Sequence, residues 1–204
     1  MIPSFKSLKF FLAIFFLHIN LVGESDPHKF IDSQAQEMVS VIINNQQLFS
    51  EDPESFKTKI SMIFEPMVDF RRVGASVMGK KYYLASSKSQ RLEFIQTFKN
   101  SLLDTYTSTL AQWGDQRIET VFPEISEFKK TEEVQQNLIT ANNIYPITYK
   151  VRKNKNGDWL IINIIVNGVN LGLTFRNQFQ ALAKEHNENI DEIINHWTSD
   201  ADLN

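Results

Sequence analysis

Residues 159–179, WLIINIIVNGVNLGLTFRNQF, constrain the fold of this chain more than any other segment. The first part predicts a β-strand that is apolar on both faces and therefore has to be covered on both sides. An Asn-Gly pair at residues 167–168 predicts a turn, and an amphipathic helix with Phe175, Arg176 and Phe179 follows it. The segment contains no nucleophile, metal ligand or phosphate-binding loop. It therefore predicts a function that depends on an apolar surface.

Length and composition limit the class of protein. A chain of 204 residues with 42% hydrophobic residues and 16 Phe is long enough for one domain with a sizeable core, plus a leader. The net charge of -3 argues against a general nucleic-acid binder, which would carry a basic surface. Because the chain has no cysteine, disulfides and thiolate metal sites are excluded.

The N-terminus has the pattern of a secretory signal peptide. Lys6 and Lys9 precede an apolar run over residues 10–22, and small residues follow it. As a helix this run would span about 20 Å, which is short of the roughly 30 Å core of a bilayer. We therefore expect a signal peptide over residues 1–23, cleaved at its end or within the next two residues, and a single domain over residues 24–204. An uncleaved membrane anchor is the alternative.

Helical periodicity and capping signals predict the first half of the domain. Asp-Pro pairs at residues 26–27 and 52–53 each predict an N-cap followed by the first helical residue. A third helix is predicted to stop at Gly79. Residues 87–90 form a capping box that opens the longest helix, and Gly114 ends it.

The pattern then changes to period two, which predicts consecutive strands joined by hairpins. Two closing helices are predicted after the last strand. Helices, then a run of strands, then helices indicate an α+β fold with helices over one face of a curved, antiparallel, four-stranded sheet. The strands are predicted at residues 117–122, 134–141, 144–152 and 159–167, and the closing helices at residues 171–186 and 190–197.

Several short motifs between residues 30 and 197 occur in the same order as in a known protein family. They are Val68-Asp69-Phe70, Val77-Met78-Gly79, Ser89-Gln90-Arg91, Phe94, Phe98, Tyr106, Tyr149, Trp159, Gly168-Val169, Leu171 and Phe175-Arg176-Asn177-Gln178-Phe179. On these residues the chain resembles the MlaC family, the periplasmic phospholipid shuttles also called toluene-tolerance proteins. Residues 168–179 are the most specific part of the resemblance.

The resemblance implies a fold and a function. Family members have a twisted antiparallel sheet with helices, related to the NTF2-like shape, and hold the acyl tails of a glycerophospholipid in a cavity with the head group near solvent. They exchange lipid between an outer-membrane lipoprotein–porin complex and an inner-membrane ABC-type complex of an MCE protein, a permease and an ATPase, which maintains outer-membrane lipid asymmetry.

By resemblance, this chain is a monomeric, non-enzymatic carrier in the periplasm of a Gram-negative bacterium. It needs no cofactor, carries phospholipid as cargo and has no nucleic-acid partner. Two positions depart from the family pattern. Asn163 stands where the family usually has an acidic residue, and Phe175 stands where it usually has Tyr. These changes remove polar partners but leave an apolar cavity intact.

The apolar faces and the resemblance together predict a set of lipid-binding residues. For each apolar member the alternative is ordinary core packing. Arg176 is predicted either to contact the head-group phosphate or to pair with an acidic helix residue. The set is Val73, Val77, Met78, Phe98, Leu102, Tyr106, Ile147, Tyr149, Ile161, Ile165, Val169, Leu171, Phe175 and Arg176.

The residues predict neither a catalytic nor a metal site. His28, His186 and His196 share no ligand spacing, and the Ser and Thr residues lack the sequence context of an activated nucleophile. Two alternatives to a carrier stay open at this point. An NTF2-like enzyme acting on an apolar small molecule would need a buried base, and a ligand-free structural or adaptor protein would have a closed core.

Overall fold

A computed structural model describes residues 26–124 and 127–199, so the predicted signal peptide lies outside the described residues. Five helices come first: α1 (Pro27–Asn44), α2 (Gln46–Glu51), α3 (Pro53–Met67), α4 (Phe70–Ala85) and α5 (Lys88–Ala111). Five strands follow: β1 (Arg117–Val121), β2 (Thr131–Ile139), β3 (Ile144–Lys153), β4 (Trp159–Val166) and β5 (Val169–Asn170). The helices α6 (Leu171–Glu185) and α7 (Ile190–Asn195) close the fold. None of the described helices combines the length and apolar character needed to cross a membrane.

The predicted helix starts are confirmed by their capping hydrogen bonds. The Asp26 carboxylate accepts from the backbone N–H of His28 at 2.8 Å, and Asp52 accepts from the N–H of Ser55 at 3.1 Å. Ser87 and Gln90 exchange side-chain and backbone hydrogen bonds at 2.9 and 3.1 Å, which completes the capping box. These bonds satisfy N–H groups that the first helical turn leaves unpaired.

The predicted helix end at Gly79 is a kink rather than a stop. Gly79 adopts φ 72° and ψ 165°, which is not helical, but helical structure resumes and α4 continues to Ala85. This combination of dihedrals is accessible essentially only to glycine. The six-residue helix α2 was not predicted. Its only apolar residues, Leu48 and Phe49, are adjacent and do not form a helical period.

The sheet is antiparallel in the order β1-β2-β3-β4-β5 and has five strands instead of the predicted four. The fifth strand is only two residues long, too short to produce a period-two pattern. Asn167 and Gly168 join it to β4 with φ values of 48° and 83°. Positive φ at both central residues is the signature of a tight two-residue hairpin turn, which the Asn-Gly pair predicts.

A β-bulge interrupts the pairing of β3 with β4. Lys150 pairs with Asn163, whereas the next residue, Val151, pairs with Ile161. Ile162 is therefore an extra residue on β4. An extra residue bends its strand and shifts the alternation of side chains between the two faces of the sheet.

The bulge changes which β4 side chains face the helices. Ile164 pairs with Tyr149 and faces the helices with it, while Ile165 pairs with Thr148 on the opposite face. Strict alternation along β4 would place Ile161 and Ile165 on the same face, whereas the bulge places them on opposite faces. A one-residue register shift moves every following side chain to the other face of a strand.

The helices lie against one face of the sheet, which we call the inner face. Ile31 of α1 and Met67 of α3 pack there against Val134, Val151 and their neighbours. On the other face of β4, side chains such as Leu160, Ile162 and Ile165 are only partly buried. The expectation that both faces of this strand are fully covered is therefore wrong.

An aromatic cluster joins α5, α6 and α7. Ring centroids are 5.0 Å apart for Phe94 and Phe179, 5.2 Å for Phe94 and Trp197, and 5.4 Å for Phe98 and Phe175. All three pairs are edge-to-face, the arrangement that the charge distribution of aromatic rings favours. The cluster forms the core on the helical side of the sheet.

Candidate functional site

An apolar pocket of about 330 Å³ lies between the inner face of the sheet and the helices. Its wall consists of aliphatic and aromatic side chains with a few uncharged polar groups. The lining residues are Met38, Ile60, Phe64, Val68, Phe70, Val73, Phe98, Leu102, Leu103, Tyr106, Thr107, Leu110, Ile147, Tyr149, Ile161, Asn163, Ile164, Val166, Leu171, Gly172 and Phe175.

The sheet wall of the pocket comes from β3 and β4. Ile147 faces Val166 and Tyr149 faces Ile164 as direct cross-strand partners, and Ile161 extends the wall beyond the bulge. Direct partners on one face lie close enough to form a continuous surface. The bulge is what allows both Ile161 and Ile164 to contribute to this wall.

The opposite wall is helical. Phe98, Leu102, Tyr106 and Leu110 of α5 recur every four residues and line the pocket from one side. Residues spaced in this way lie on one face of a helix. Ile60 and other side chains from α3, α4 and α6 complete the wall.

Tyr149 places a polar group in the sheet wall. Burial raises the pKa of its phenol well above the usual value, because the charged phenolate would be removed from water. The group is therefore neutral at physiological pH. A neutral hydroxyl can take part in hydrogen bonds but is not an activated base.

Asn163 forms a hydrogen-bonded junction at the edge of the pocket. Its Oδ1 accepts from the backbone N–H of Gly172 at 3.1 Å, and its Nδ2 donates to Asn170 Oδ1 at 3.1 Å. Asn170 Oδ1 also accepts from the N–H of Leu173 at 3.1 Å and so caps α6. An ionised carboxylate at position 163 would lack the donor for Asn170, so this hydrogen bond depends on the amide.

The structure brings most of the predicted lipid-binding residues into one wall and leaves others outside it. Those that line the pocket are Val73, Phe98, Leu102, Tyr106, Ile147, Tyr149, Ile161, Leu171 and Phe175. Val77 and Met78 are fully buried in the core beside the aromatic cluster. Ile165 lies on the other sheet face, Val169 lies in β5, and Arg176 is exposed on α6. The lipid-binding role of each residue stays a prediction.

The sequence model of the MlaC family, described as MlaC protein, matches residues 32–199. The chain belongs to the MlaC family. The resemblance predicted from its short motifs is confirmed by this match, which spans nearly all of the described residues.

Two curated relatives of this MlaC-family chain are similar over most of their lengths. Toluene tolerance protein ttg2D of Pseudomonas putida is 29% identical over 181 residues, which cover 88% of this chain and 83% of the relative. The intermembrane phospholipid transport system binding protein MlaC of Haemophilus influenzae is 28% identical over 194 residues, covering 93% and 89%.

A solved structure shares the fold of this MlaC-family chain. It is the phospholipid-binding protein of Ralstonia solanacearum in complex with a phospholipid, with a TM-score of 0.75 and 17% sequence identity. The match covers 84% of this chain and 94% of that protein. The similarity confirms the predicted α+β fold, with the strand number corrected from four to five.

Arg176 of this MlaC-family chain packs over the kink in α4. A Cβ atom built on Gly79 would lie 3.2 Å from Nη2 of Arg176, so the guanidinium covers the glycine directly. No carboxylate among the described residues lies within ion-pair distance of this guanidinium. The alternative of a salt bridge with an acidic helix residue is therefore not seen in this part of the chain.

We expect Gly79→Ala to destabilise the protein by about 1–3 kcal/mol, because alanine at this φ and ψ is strained and its Cβ would press on Arg176. Urea unfolding of the purified protein measures the change. Gly114→Ala is the matched control, since Gly114 lies outside the positive-φ region and its Cβ would meet only Gln116 Oε1 at 3.6 Å. Equal stability of the two variants would contradict the assigned kink.

Sequence reasoning missed part of the pocket wall. Ile164 and Val166 are absent from the predicted set because the bulge that turns Ile164 inwards is not visible in the sequence. Six missed residues lie on helical stripes that predict burial, which does not separate a pocket wall from the core: Met38, Ile60, Phe64, Phe70, Leu103 and Leu110. Val68, Thr107, Asn163 and Gly172 carried no signal for the wall.

Proposed function

We propose that this chain is a non-enzymatic periplasmic carrier that holds the acyl tails of a glycerophospholipid in the apolar pocket. It shuttles the lipid between an outer-membrane lipoprotein–porin complex and an inner-membrane complex of an MCE protein, a permease and an ATPase. The observation that carries the proposal is the composition of the pocket wall, which contains no charged side chain among its lining residues. The names of the Haemophilus and Ralstonia proteins, which refer to phospholipid transport and binding, support the same cargo.

The energetics of the pocket favour acyl chains. Each methylene removed from water contributes about 0.8 kcal/mol, without any requirement for a specific polar partner. A wall of aliphatic and aromatic side chains excludes water around such a chain and leaves the polar head group at the mouth. Because two long chains would bind far more tightly than a shuttle needs, release has to be coupled to docking on a membrane complex.

The chemistry of the wall supports a carrier rather than an enzyme. General acid–base catalysis needs a titratable group with a pKa near the working pH. The lining contains no His, Asp, Glu, Lys or Cys, and burial raises the pKa of the Tyr149 phenol away from neutrality. The polar groups present are suited to orienting a ligand.

Arg176 is the candidate for the head-group contact. Its neighbour Phe175 lines the pocket, while Arg176 itself is exposed on the same helix. A planar guanidinium can donate two parallel hydrogen bonds to one phosphate group. We therefore place the head group above the Gly79 kink, with the tails directed towards Phe98 and Ile147.

Native mass spectrometry of the protein purified from the periplasm of its native bacterium tests the proposed function. The expected spectrum contains a species heavier than the empty chain by the mass of a phospholipid, and extraction should release the same lipid. If the protein is recovered only empty and takes up no lipid from phospholipid vesicles, it is not a carrier.

A further inference from the structure

Three potential metal ligands meet at the C-terminal end of the fold, away from the pocket wall. His186 follows the end of α6, while Glu192 and His196 lie on and just after α7. One ligand atom from each lies within 4.8 Å of the others, and the two imidazole rings stack at a centroid distance of 4.2 Å. The sequence spacing of the histidines does not indicate this proximity, because it arises from the turn between the two helices.

The hydrogen bond of His196 leaves one ring nitrogen available for a metal. Its Nδ1 lies 2.9 Å from the backbone carbonyl oxygen of Glu192. Because a carbonyl can only accept, Nδ1 carries the proton and Nε2 has a free lone pair. Metal-binding histidines characteristically donate their second ring N–H in this way, which fixes the tautomer and the ring orientation.

The charge of the segment favours a cation. Residues 185–196 contain Glu185, Glu188, Asp191 and Glu192 but no Lys or Arg. Lys81 forms an ion pair with Glu188, and Gln90 donates to Asp191 at 2.7 Å, so these two carboxylates have partners of their own. Glu192 lies beside both rings: its Oε2 is 3.7 Å from Nδ1 of His196, and one of its carboxylate oxygens is within 4.8 Å of a ring nitrogen of His186.

We propose that His186, Glu192 and His196 form a binding site for a divalent transition metal, with Zn²⁺ as the best-matched ion. Two imidazoles and one carboxylate form a recognised protein ligand set for zinc, with water in the remaining position. The hard ions Mg²⁺ and Ca²⁺ prefer oxygen ligands and are discriminated against. The proposal does not depend on the lipid-carrier function.

Metal binding at this site links the end of α6 to α7. The residue after His196 is Trp197, which is buried against Phe98 and Phe175 at ring distances of 5.8 and 6.5 Å. Both phenylalanines also line the pocket. A bound ion therefore stabilises the helix that closes the aromatic cluster behind the pocket.

Calorimetric titration of Zn²⁺ into the untagged protein tests the site. The expected result is one Zn²⁺ per chain, a rise in the unfolding temperature with Zn²⁺ and none with Mg²⁺. His186→Ala, His196→Ala and Glu192→Gln should each weaken Zn²⁺ binding by at least about tenfold, since even the loss of an outer partner of a metal ligand costs 10–100-fold. Glu185→Gln is the matched control, because it removes a nearby charge outside the cluster.

All these positions are partly or fully exposed, so the variants are expected to fold, and circular dichroism checks this. Histidine NMR signals supply a second measurement: the ring resonances of His186 and His196 should shift with Zn²⁺, while those of His28 should not. Absence of Zn²⁺ binding, or equal binding by the wild type and the His186→Ala/His196→Ala double variant, would overturn the proposal. A loss of affinity in Glu185→Gln as large as in Glu192→Gln would also overturn it.

Discussion

Ile164→Glu should bind phospholipid roughly 100-fold more weakly than the wild type, whereas Ile165→Glu should bind it as tightly as the wild type. Ile164 lines the pocket, and Ile165 points to the other side of the sheet. Placing a charge in a hydrocarbon environment costs about 2.5–3.5 kcal/mol on insertion scales, and each 1.4 kcal/mol corresponds to a tenfold change in affinity. Competition of each variant with an equal amount of wild-type protein for limiting phospholipid, followed by separation and quantitative lipid extraction, measures the difference.

The pair of variants separates binding from folding. Both substitutions introduce the same carboxylate into adjacent residues of β4, and both residues are partly buried. Circular dichroism and the unfolding midpoint show whether either variant has lost its structure. Equal retention by two folded variants would contradict the position of the pocket, and a loss in Ile165→Glu alone would contradict the bulge.

Phe98→Ala should destabilise the protein by about 3–5 kcal/mol, the usual cost of removing a fully buried phenylalanine. Phe98 is 1% exposed and contacts the rings of Phe70, Phe94, Phe175 and Trp197. For a domain of this size each kcal/mol lowers the unfolding temperature by about 2–4 °C, so a decrease of roughly 6–20 °C is expected. Differential scanning calorimetry on lipid-free protein measures it.

Leu92→Ala is the control for this prediction, because Leu92 lies on the same helix but is 49% exposed. Its unfolding temperature should fall by no more than about 2–4 °C, since exposed substitutions change stability by about 0.5 kcal/mol and the loss of some apolar area adds little more. If Phe98→Ala were no less stable than Leu92→Ala, the aromatic cluster would not be the support that holds the pocket wall in place.

The helical half of this fold could be predicted from sequence because its determinants are local. Asp26, Asp52 and Ser87 form capping hydrogen bonds with backbone groups two or three residues away, and the apolar stripes of α3 and α5 repeat at helical spacing. Such signals do not depend on where the rest of the chain lies. The interruption of the helix at Gly79 was predicted, but the continuation of α4 beyond it was not. A glycine that ends a helix and one that redirects it look alike in sequence.

The sheet face of the pocket could not be fully predicted because register is not a local property. The nearly continuous apolar run of β4 gives no sign of a register shift, yet the pairing of Lys150 with Asn163 and of Val151 with Ile161 inserts one extra residue. This shift brings Ile164 into the wall and removes Ile165. The contact between His186 and His196 was not predicted either, because it depends on the conformation of the turn between α6 and α7.

The MlaC motifs identified the family but not the extent of the pocket. They include Phe98, Tyr106, Tyr149 and Leu171 of the wall, and they also include core residues such as Val77 and Met78. A buried apolar side chain has the same sequence signature whether it faces another side chain or a ligand. Only the packing of the helices around the pocket separates these two roles.

In the proposed carrier the acyl tails lie between the inner face of the sheet and α5. Methyl NMR of the protein loaded with a phospholipid carrying a nitroxide near the end of one tail tests this position most directly. The nitroxide broadens signals of nearby methyl groups, so those of Leu102, Ile147 and Ile164 should disappear, while those of Leu160 and Ile165 on the other sheet face should remain. Loss of the Leu160 and Ile165 signals with the pocket signals intact would contradict this position of the acyl tails.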